Sequence, residues 1–339
     1  MVLPFTVAYC DANSADEHLA DDHRLALIRF QEPVRVDPDP RSCPVPLPEL
    51  GGAATAEVWL SPRPVQAGMV SGVGYAGNGD VLFLQLRSNE YAPDALQPLT
   101  AIAYRRLFAV ARAQGYPHFL RIWNYVPNLN QECGGLERYL AFCAGRRQVL
   151  DAVLADVETR LPAASAIGFP ASFVPLAKEE NVGKNGLRLY ALAARESGEQ
   201  IENPRQVSAF HYPPEYGRRG PSFSRAVLKR WGNDGHHLYI SGTASVVGHI
   251  SRHDDLMAQL DETLVNLEAL LTVASRRAAT PLQPALLRVY VRPASDPAPL
   301  RRRIVQAFGS AVPMLFLQAD ICRRELLIEI EGLAVSPAG

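Results

Sequence analysis

Ala226-Val-Leu-Lys-Arg-Trp231, Asn233-Asp-Gly235 and His237-Leu-Tyr-Ile-Ser241 form the stretch that decides how this chain folds. Two runs rich in apolar and aromatic residues flank an Asp-Gly step that tolerates positive φ, so the segment predicts a β-hairpin. Downstream, Leu256, Leu260, Leu264, Leu267 and Leu271 recur at spacings of three and four, which gives a helix over Asp254 to Ser275 a single buried stripe. A strand over Ala285 to Val291, a short helix over Pro299 to Phe308, and strands over Pro313 to Cys322 and Glu325 to Leu333 complete a ββαβαββ unit.

Upstream the same succession repeats more faintly. Strands are expected at Ala56 to Leu60 and Val81 to Leu86, a helix over Leu99 to Gln114, and a strand over Phe119 to Tyr125. A long helix over Leu136 to Arg160 and strands over Ser165 to Pro170 and Leu187 to Glu196 follow. The chain therefore reads as α/β (α+β), with two similar units at residues 1–200 and 201–339 and an active site between them. A sheet with helices on one face buries that face and leaves the other for a partner. Pro33 to Pro48 holds too many prolines for a helix or a central strand and predicts an irregular surface arm.

Composition excludes some functions. With 339 residues, 47% of them apolar, and a formal net charge of -1, the chain has no electrostatic footprint for nucleic acid or an anionic membrane. The opening MVLPFTVAYCDANSADEH has no basic n-region and reaches acidic residues before any long apolar run, so a cytoplasmic protein is expected. Cys10, Cys43, Cys133, Cys143 and Cys322 are an odd set without a CxxC pair, which argues against a disulfide framework and a structural zinc site.

Gly72-Val-Gly74-Tyr-Ala-Gly77 matches G-x-G-x-x-G, but Asn78-Gly-Asp80 and a strand follow it where a dinucleotide site requires a helix. A glycine-rich hairpin is the better account. His236, His237, His249 and His253 lack a completing carboxylate or cysteine, so they read as hydrogen-bonded or solvated histidines and no metal is expected. Two stretches carry more chemistry. Glu202 to Arg225 gathers Tyr212, Tyr216, Ser222 and Arg225 in a Pro/Gly-rich loop between the units, where clefts are built, although an interdomain linker has the same composition. Arg121 to Arg147 contains Trp123, Asn124, Tyr139 and Arg146, which a strand end and a helix start would equally explain. Last, Glu325, Glu329 and Glu331 share one face of the closing strand, with Ile328 and Ile330 on the other. On a solvated edge they are surface charges; facing a dry cleft, one of them becomes a general acid near neutral pH.

Residues 238–335 resemble the Rid/YjgF fold family through Ile240-Ser-Gly-Thr243, Leu264-Val-Asn-Leu-Glu-Ala-Leu-Leu271, Leu287-Arg-Val-Tyr-Val291 and Ile328-Glu-Ile-Glu331. Active members of that family hold a substrate carboxylate with an arginine on the penultimate strand. Pro313-Met-Leu-Phe-Leu-Gln318 has none, so an imine deaminase here needs that arginine from elsewhere. The whole chain resembles the chorismatases, which look like two such units fused. The matches are Trp123-Asn-Tyr-Val-Pro127, Tyr139 with Arg146, Glu202-Asn-Pro-Arg-Gln-Val-Ser-Ala209, Pro221-Ser-Phe-Ser-Arg225, Ser241-Gly-Thr-Ala-Ser245 and Glu329.

The resemblance implies chorismate as substrate, no cofactor, and Glu329 as the acid that protonates the enolpyruvyl ether. It implies Arg146 and Arg225 as clamps for the two carboxylates, Tyr212 and Tyr216 against the ring, and Tyr139, Asn124, Ser241 and Thr243 in the substrate site. Ala244 and Cys322 are the candidates that select the product. Cys322 resembles the members that form 3-hydroxybenzoate or 4-hydroxybenzoate, and Ala244 suits those that form a trans-dihydrodiol. A Rid-like deaminase and a non-catalytic ligand-binding protein are the competing readings. Fusion of two units is compatible with a monomer.

Overall fold

The computed structural model describes residues 3–12, 14–15, 21–30, 38–52, 54–89, 93–170, 186–213, 220–232 and 235–336. A small N-terminal sheet comes first. It comprises β1 (Thr6–Asp11), β2 (Arg24–Phe30), β3 (Ser42–Val45) and β4 (Thr55–Leu60) in the order β1-β4-β2-β3. Two expectations change here. The strand near Ala56 to Leu60 pairs with β1 and β2 and not with the first repeat, because alternation within a strand does not say which sheet it joins. Within the Pro-rich stretch, Ser42–Val45 is a strand, and Pro44 is accommodated because β3 lies at an edge.

The first unit follows with β5 (Gln66–Val70), β6 (Val73–Gly77), β7 (Val81–Asn89), α1 (Leu96–Ala113) and β8 (His118–Pro127). A two-stranded ribbon, β9 (Glu132–Cys133) and β10 (Leu136–Glu137), turns on Gly134 and Gly135, both at positive φ. Next come α2 (Arg138–Val153), α3 (Val157–Arg160), β11 (Ala163–Phe169) and β12 (Gly186–Ala194). The helix expected over Leu136 to Arg160 is thus split: Leu154 is extended, and Asp156 caps α3 by accepting from Glu158 N. The glycine-rich run is a hairpin strand, with Val73–Gly77 paired to both neighbours.

The second unit contains β13 (Glu199–Ile201), β14 (Ala226–Trp231), β15 (Gly235–Ala244), a ribbon of β16 (Val246–Val247) and β17 (Ile250–Ser251), and α4 (Leu256–Ala278). It ends with β18 (Gln283–Val291), α5 (Ala298–Phe308), β19 (Met314–Gln318) and β20 (Ile328–Val335). Helix α4 starts where Asp255 accepts from the backbone of Met257 and Ala258, and stops where Ala279 turns left-handed.

The sheet orders are β11-β8-β12-β7-β6-β5 and β13-β14-β15-β20-β18-β19. Reversing the second gives the same pattern as the first: fourth strand, third, fifth, second, first, then an added edge strand. In both sheets only the third and fourth strands are parallel. The molecule is therefore a duplicated ββαβαββ unit.

Each sheet covers one face with its own helices. Leu82, Leu84 and Leu86 of β7 pack towards α1 and α2, and Leu238, Ile240 and Ile330 pack towards α4. The opposite faces, with Phe83, Trp123, Tyr125 and Tyr190 from one unit and Tyr239, Tyr290 and Leu333 from the other, join the N-terminal sheet in one central core. The units also meet along β11: Gly168 and Asp320 exchange backbone hydrogen bonds, and Ser241 Oγ accepts from Ala164 N at 2.8 Å while donating to Ser224 O at 2.5 Å.

Candidate active site

Strand β20 lies between β15 and β18, so the carboxylates on its inner face are buried: Glu329 is 5% exposed and Glu331 2%. This is a central strand and not a solvated edge. Glu325 precedes the strand and accepts from Ser251 Oγ, so it does not share that face.

Glu331 is held as a fixed anion. Arg121 Nη2 reaches one oxygen at 2.6 Å and Arg288 Nη1 the other at 2.6 Å. Trp123 Nε1 at 3.0 Å and Tyr290 OH at 2.8 Å donate to it, as does Ser165 Oγ. Arg288 also pairs with Glu57 of β4 at 2.5 Å, so two carboxylates and two guanidiniums close a network that draws on all three sheets. A buried charge network of this kind is tolerated because all four carboxylate oxygens are met by donors, while Arg121 Nη1 and Arg288 Nε are left without a hydrogen-bond partner.

Glu329 lies two residues away with a different environment. Burial, and then the negative charge of Glu331, push its carboxyl up to about 8, against the lowering effect of Arg121 and Arg225. It is therefore mostly protonated at neutral pH. The backbone shapes the space around it. The β15–β20 register shifts between Ile240 and Thr243, a β-bulge opposite Glu331, and Gly242 in that bulge presses on the Glu329 carboxyl so closely that a methyl group there would collide with it.

Glu329 opens on a cleft of about 140 Å³. Tyr139 enters it from the start of α2, Tyr212, Phe223 and Arg225 from the loop joining the units, and Ala244, directly across the strand pair from Glu329, from β15. Cys322, Arg323 and Leu326 come from the loop before β20. Arg225 donates to Tyr212 OH at 2.7 Å and Val207 O at 2.8 Å, packs over the Phe223 ring at 5.2 Å, and keeps a buried Nε with no hydrogen-bond partner. Arg323 lies 5.3 Å from the Tyr212 ring centroid and donates to His249 O and Ser251 Oγ. Burial, and then the charge of Glu329, push the Cys322 thiol up to about 12, so it presents a neutral sulfur. The walls are held from behind by buried Asn266 of α4, whose amide donates to the carbonyls of Ala244 and Val246 at 3.0 Å each.

Of the residues singled out in the sequence, Tyr139, Tyr212, Arg225, Ala244, Cys322 and Glu329 share this cleft. Arg146 is buried two turns further along α2 among Tyr104, Tyr139 and Cys143, its guanidinium 5.0 Å from the Phe142 ring and its Nε without a partner. Asn124 ties Tyr104 OH (2.6 Å) to Ser165 O (2.7 Å). Ser241 spans the units as described, and Thr243 Oγ1 returns to Ser241 O. Tyr216 lies outside the described residues. Arg323 and Gln206, which also line the cleft, and Gly242 of the bulge were not singled out; the Ser-Gly-Thr step in a strand was the available signal for the bulge. His237 is a buried core histidine bonded to Tyr239 OH at 3.0 Å.

Residues 57–176 match the chorismatase FkbO/Hyg5-like N-terminal family. A 3-hydroxybenzoate synthase of Streptomyces hygroscopicus is 32% identical over 297 residues, covering 83% of this chain and 81% of the relative. A chorismatase of the same organism is 36% identical over 291 residues, covering 83% and 79%. The crystal structure of a chorismatase superposes with a TM-score of 0.82 at 31% identity, covering 97% of this chain and 98% of the other. Identity at this level over most of both chains, together with the duplicated fold and the acid at the cleft, makes this chain a member of the chorismatase family of enzymes.

Proposed function

We propose that the protein releases pyruvate from chorismate and leaves a hydroxybenzoate, 3-hydroxybenzoate or 4-hydroxybenzoate, using Glu329 as the general acid. The observation that carries this reading is a carboxyl raised to about 8, facing a cleft whose other wall presents Arg225. Chorismate carries two carboxylates. Arg225, with a buried donor unspent, suits one of them; Arg146, which does not line the cleft but packs behind Tyr139 with its own Nε unpaired, is assigned to the other.

An enol ether breaks when its methylene carbon is protonated. Glu329 supplies that proton and becomes a carboxylate, the methylene becomes a methyl group, and the ether oxygen stabilises the cation as an oxocarbenium ion. Attack by water or by a substrate oxygen, followed by C–O cleavage, frees pyruvate, and a proton returns to Glu329. Formation of a hydroxybenzoate consumes no net water, whereas the dihydrodiol retains one. The apolar and aromatic walls from Tyr139, Phe223, Val246 and Leu326 limit water around the ring and favour the aromatic product. Ala244 favours the second reading, the trans-dihydrodiol, because a small residue opposite Glu329 leaves room for water.

The test is incubation of the EDTA-treated protein with chorismate, a coupled dehydrogenase assay for pyruvate, and mass spectrometry of the ring product. Pyruvate with a hydroxybenzoate supports the reading, pyruvate with a dihydrodiol moves the product to the second one, and no pyruvate refutes both.

A further inference from the structure

A second and larger cavity, about 280 Å³, lies between the units at the far end of α2 from the cleft. Tyr139 and Val153 are fourteen residues apart on α2, so roughly 20 Å separate the two sites along the helix. The floor of the cavity is apolar: Phe108, Phe119, Val153, Leu161 and Val227, with the two phenylalanine rings 4.2 Å apart. Its rim carries Arg112, His118 and Arg160, and no aspartate or glutamate is among the lining residues. Lys229, close by, is paired with Glu196 at 3.2 Å. Burial, and then the positive charges of Arg160 and Lys229, hold His118 below its ordinary range against the opposing charge of Glu196.

An aromatic floor under a cationic rim selects for a flat apolar body with one negative end. We infer that this cavity is a binding site for a small aromatic monocarboxylate, its ring on the Phe108–Phe119 floor and its carboxylate between Arg112 and Arg160. The volume suits a single ring and not a nucleotide. The assignment is independent of the reaction at Glu329. A route to the cleft exists: Gln200, which lines the cavity, donates to Glu202 Oε1, and the same oxygen accepts from Arg225 N, each at 3.3 Å.

Titration calorimetry of the full chain with 3-hydroxybenzoate tests this, beside the variant Arg112→Ala/Arg160→Ala and a parallel titration with inorganic phosphate. The rim arginines are exposed and outside the catalytic machinery, so a urea-unfolding midpoint unchanged from the parent checks that the variant folds. Two molecules bound per chain in the parent, with one of them weakened about tenfold or more in the variant, is the expected result, the scale of losing hydrogen bonds to a charged group. A single event that the variant abolishes supports the site equally. A single event that the variant leaves unchanged overturns the site, and phosphate binding as tightly as 3-hydroxybenzoate overturns the aromatic class. Arg160→Gln, which keeps a polar side chain but removes the charge, should weaken the same event alone.

Discussion

Replacing Glu329 with glutamine should make the enzyme slower and, at alkaline pH, more stable. The carboxyl titrates near 8 in the folded chain against an ordinary 4.5, so between those values the folded state holds a proton that the unfolded chain releases. Stability therefore falls as pH rises from about 4.5 to about 8. The full difference, 3.5 pH units at about 1.4 kcal/mol each, comes to about 5 kcal/mol as an upper scale. Glutamine keeps the shape and cannot ionise, so Glu329→Gln should match the parent near pH 4.5 and exceed it by a few kcal/mol at pH 8. Urea unfolding at both pH values measures this. The same substitution removes the proton donor and should cut pyruvate release by at least about 100-fold while chorismate still binds. In the parent, kcat should decline above about pH 8 as the acid is lost. Near-parental turnover, or an unchanged dependence of stability on pH, would refute the reasoning.

Gly242→Ala drives a methyl group into the Glu329 carboxyl, and a cost on the overpacking scale of about 1–3 kcal/mol should appear as slower turnover with a displaced pH profile; an unaltered profile would show that the carboxyl moves aside freely. Arg225→Ala should raise KM for chorismate about tenfold or more, because it deletes a charge-assisted contact; an unchanged KM removes Arg225 from the clamp. Arg288→Met strands Glu57 and Glu331 without a shared counter-charge and should destabilise the chain by about 3–5 kcal/mol in urea unfolding. Ala244→Val and Cys322→Ala should change the ratio of hydroxybenzoate to dihydrodiol in the product mixture, read by mass spectrometry; a constant ratio in both would place product selection elsewhere.

The leucine stripe of α4, the hairpin at Ala226 to Ser241 and the order of strands and helices in the second unit were legible in the amino-acid sequence, because periodicity and turn chemistry act over a few residues. The family resemblance was legible too, from short motifs scattered over the chain. Which strand joins which sheet was not, and so Ala56 to Leu60 was assigned to a repeat from which the folded chain separates it. The break at Leu154 to Asp156 escaped because apolar residues continue across it. Three carboxylates in one run, Glu325, Glu329 and Glu331, look alike in the sequence and differ in the fold: one precedes the strand, one is locked by two arginines, and one faces a cleft without such a pair. That difference arises from β20 being central, from Arg121 arriving out of the other unit, and from the bulge at Gly242. A carboxyl's acidity is set by the dielectric and the charges within a few ångströms, and only the tertiary structure brings residues two hundred positions apart to that distance.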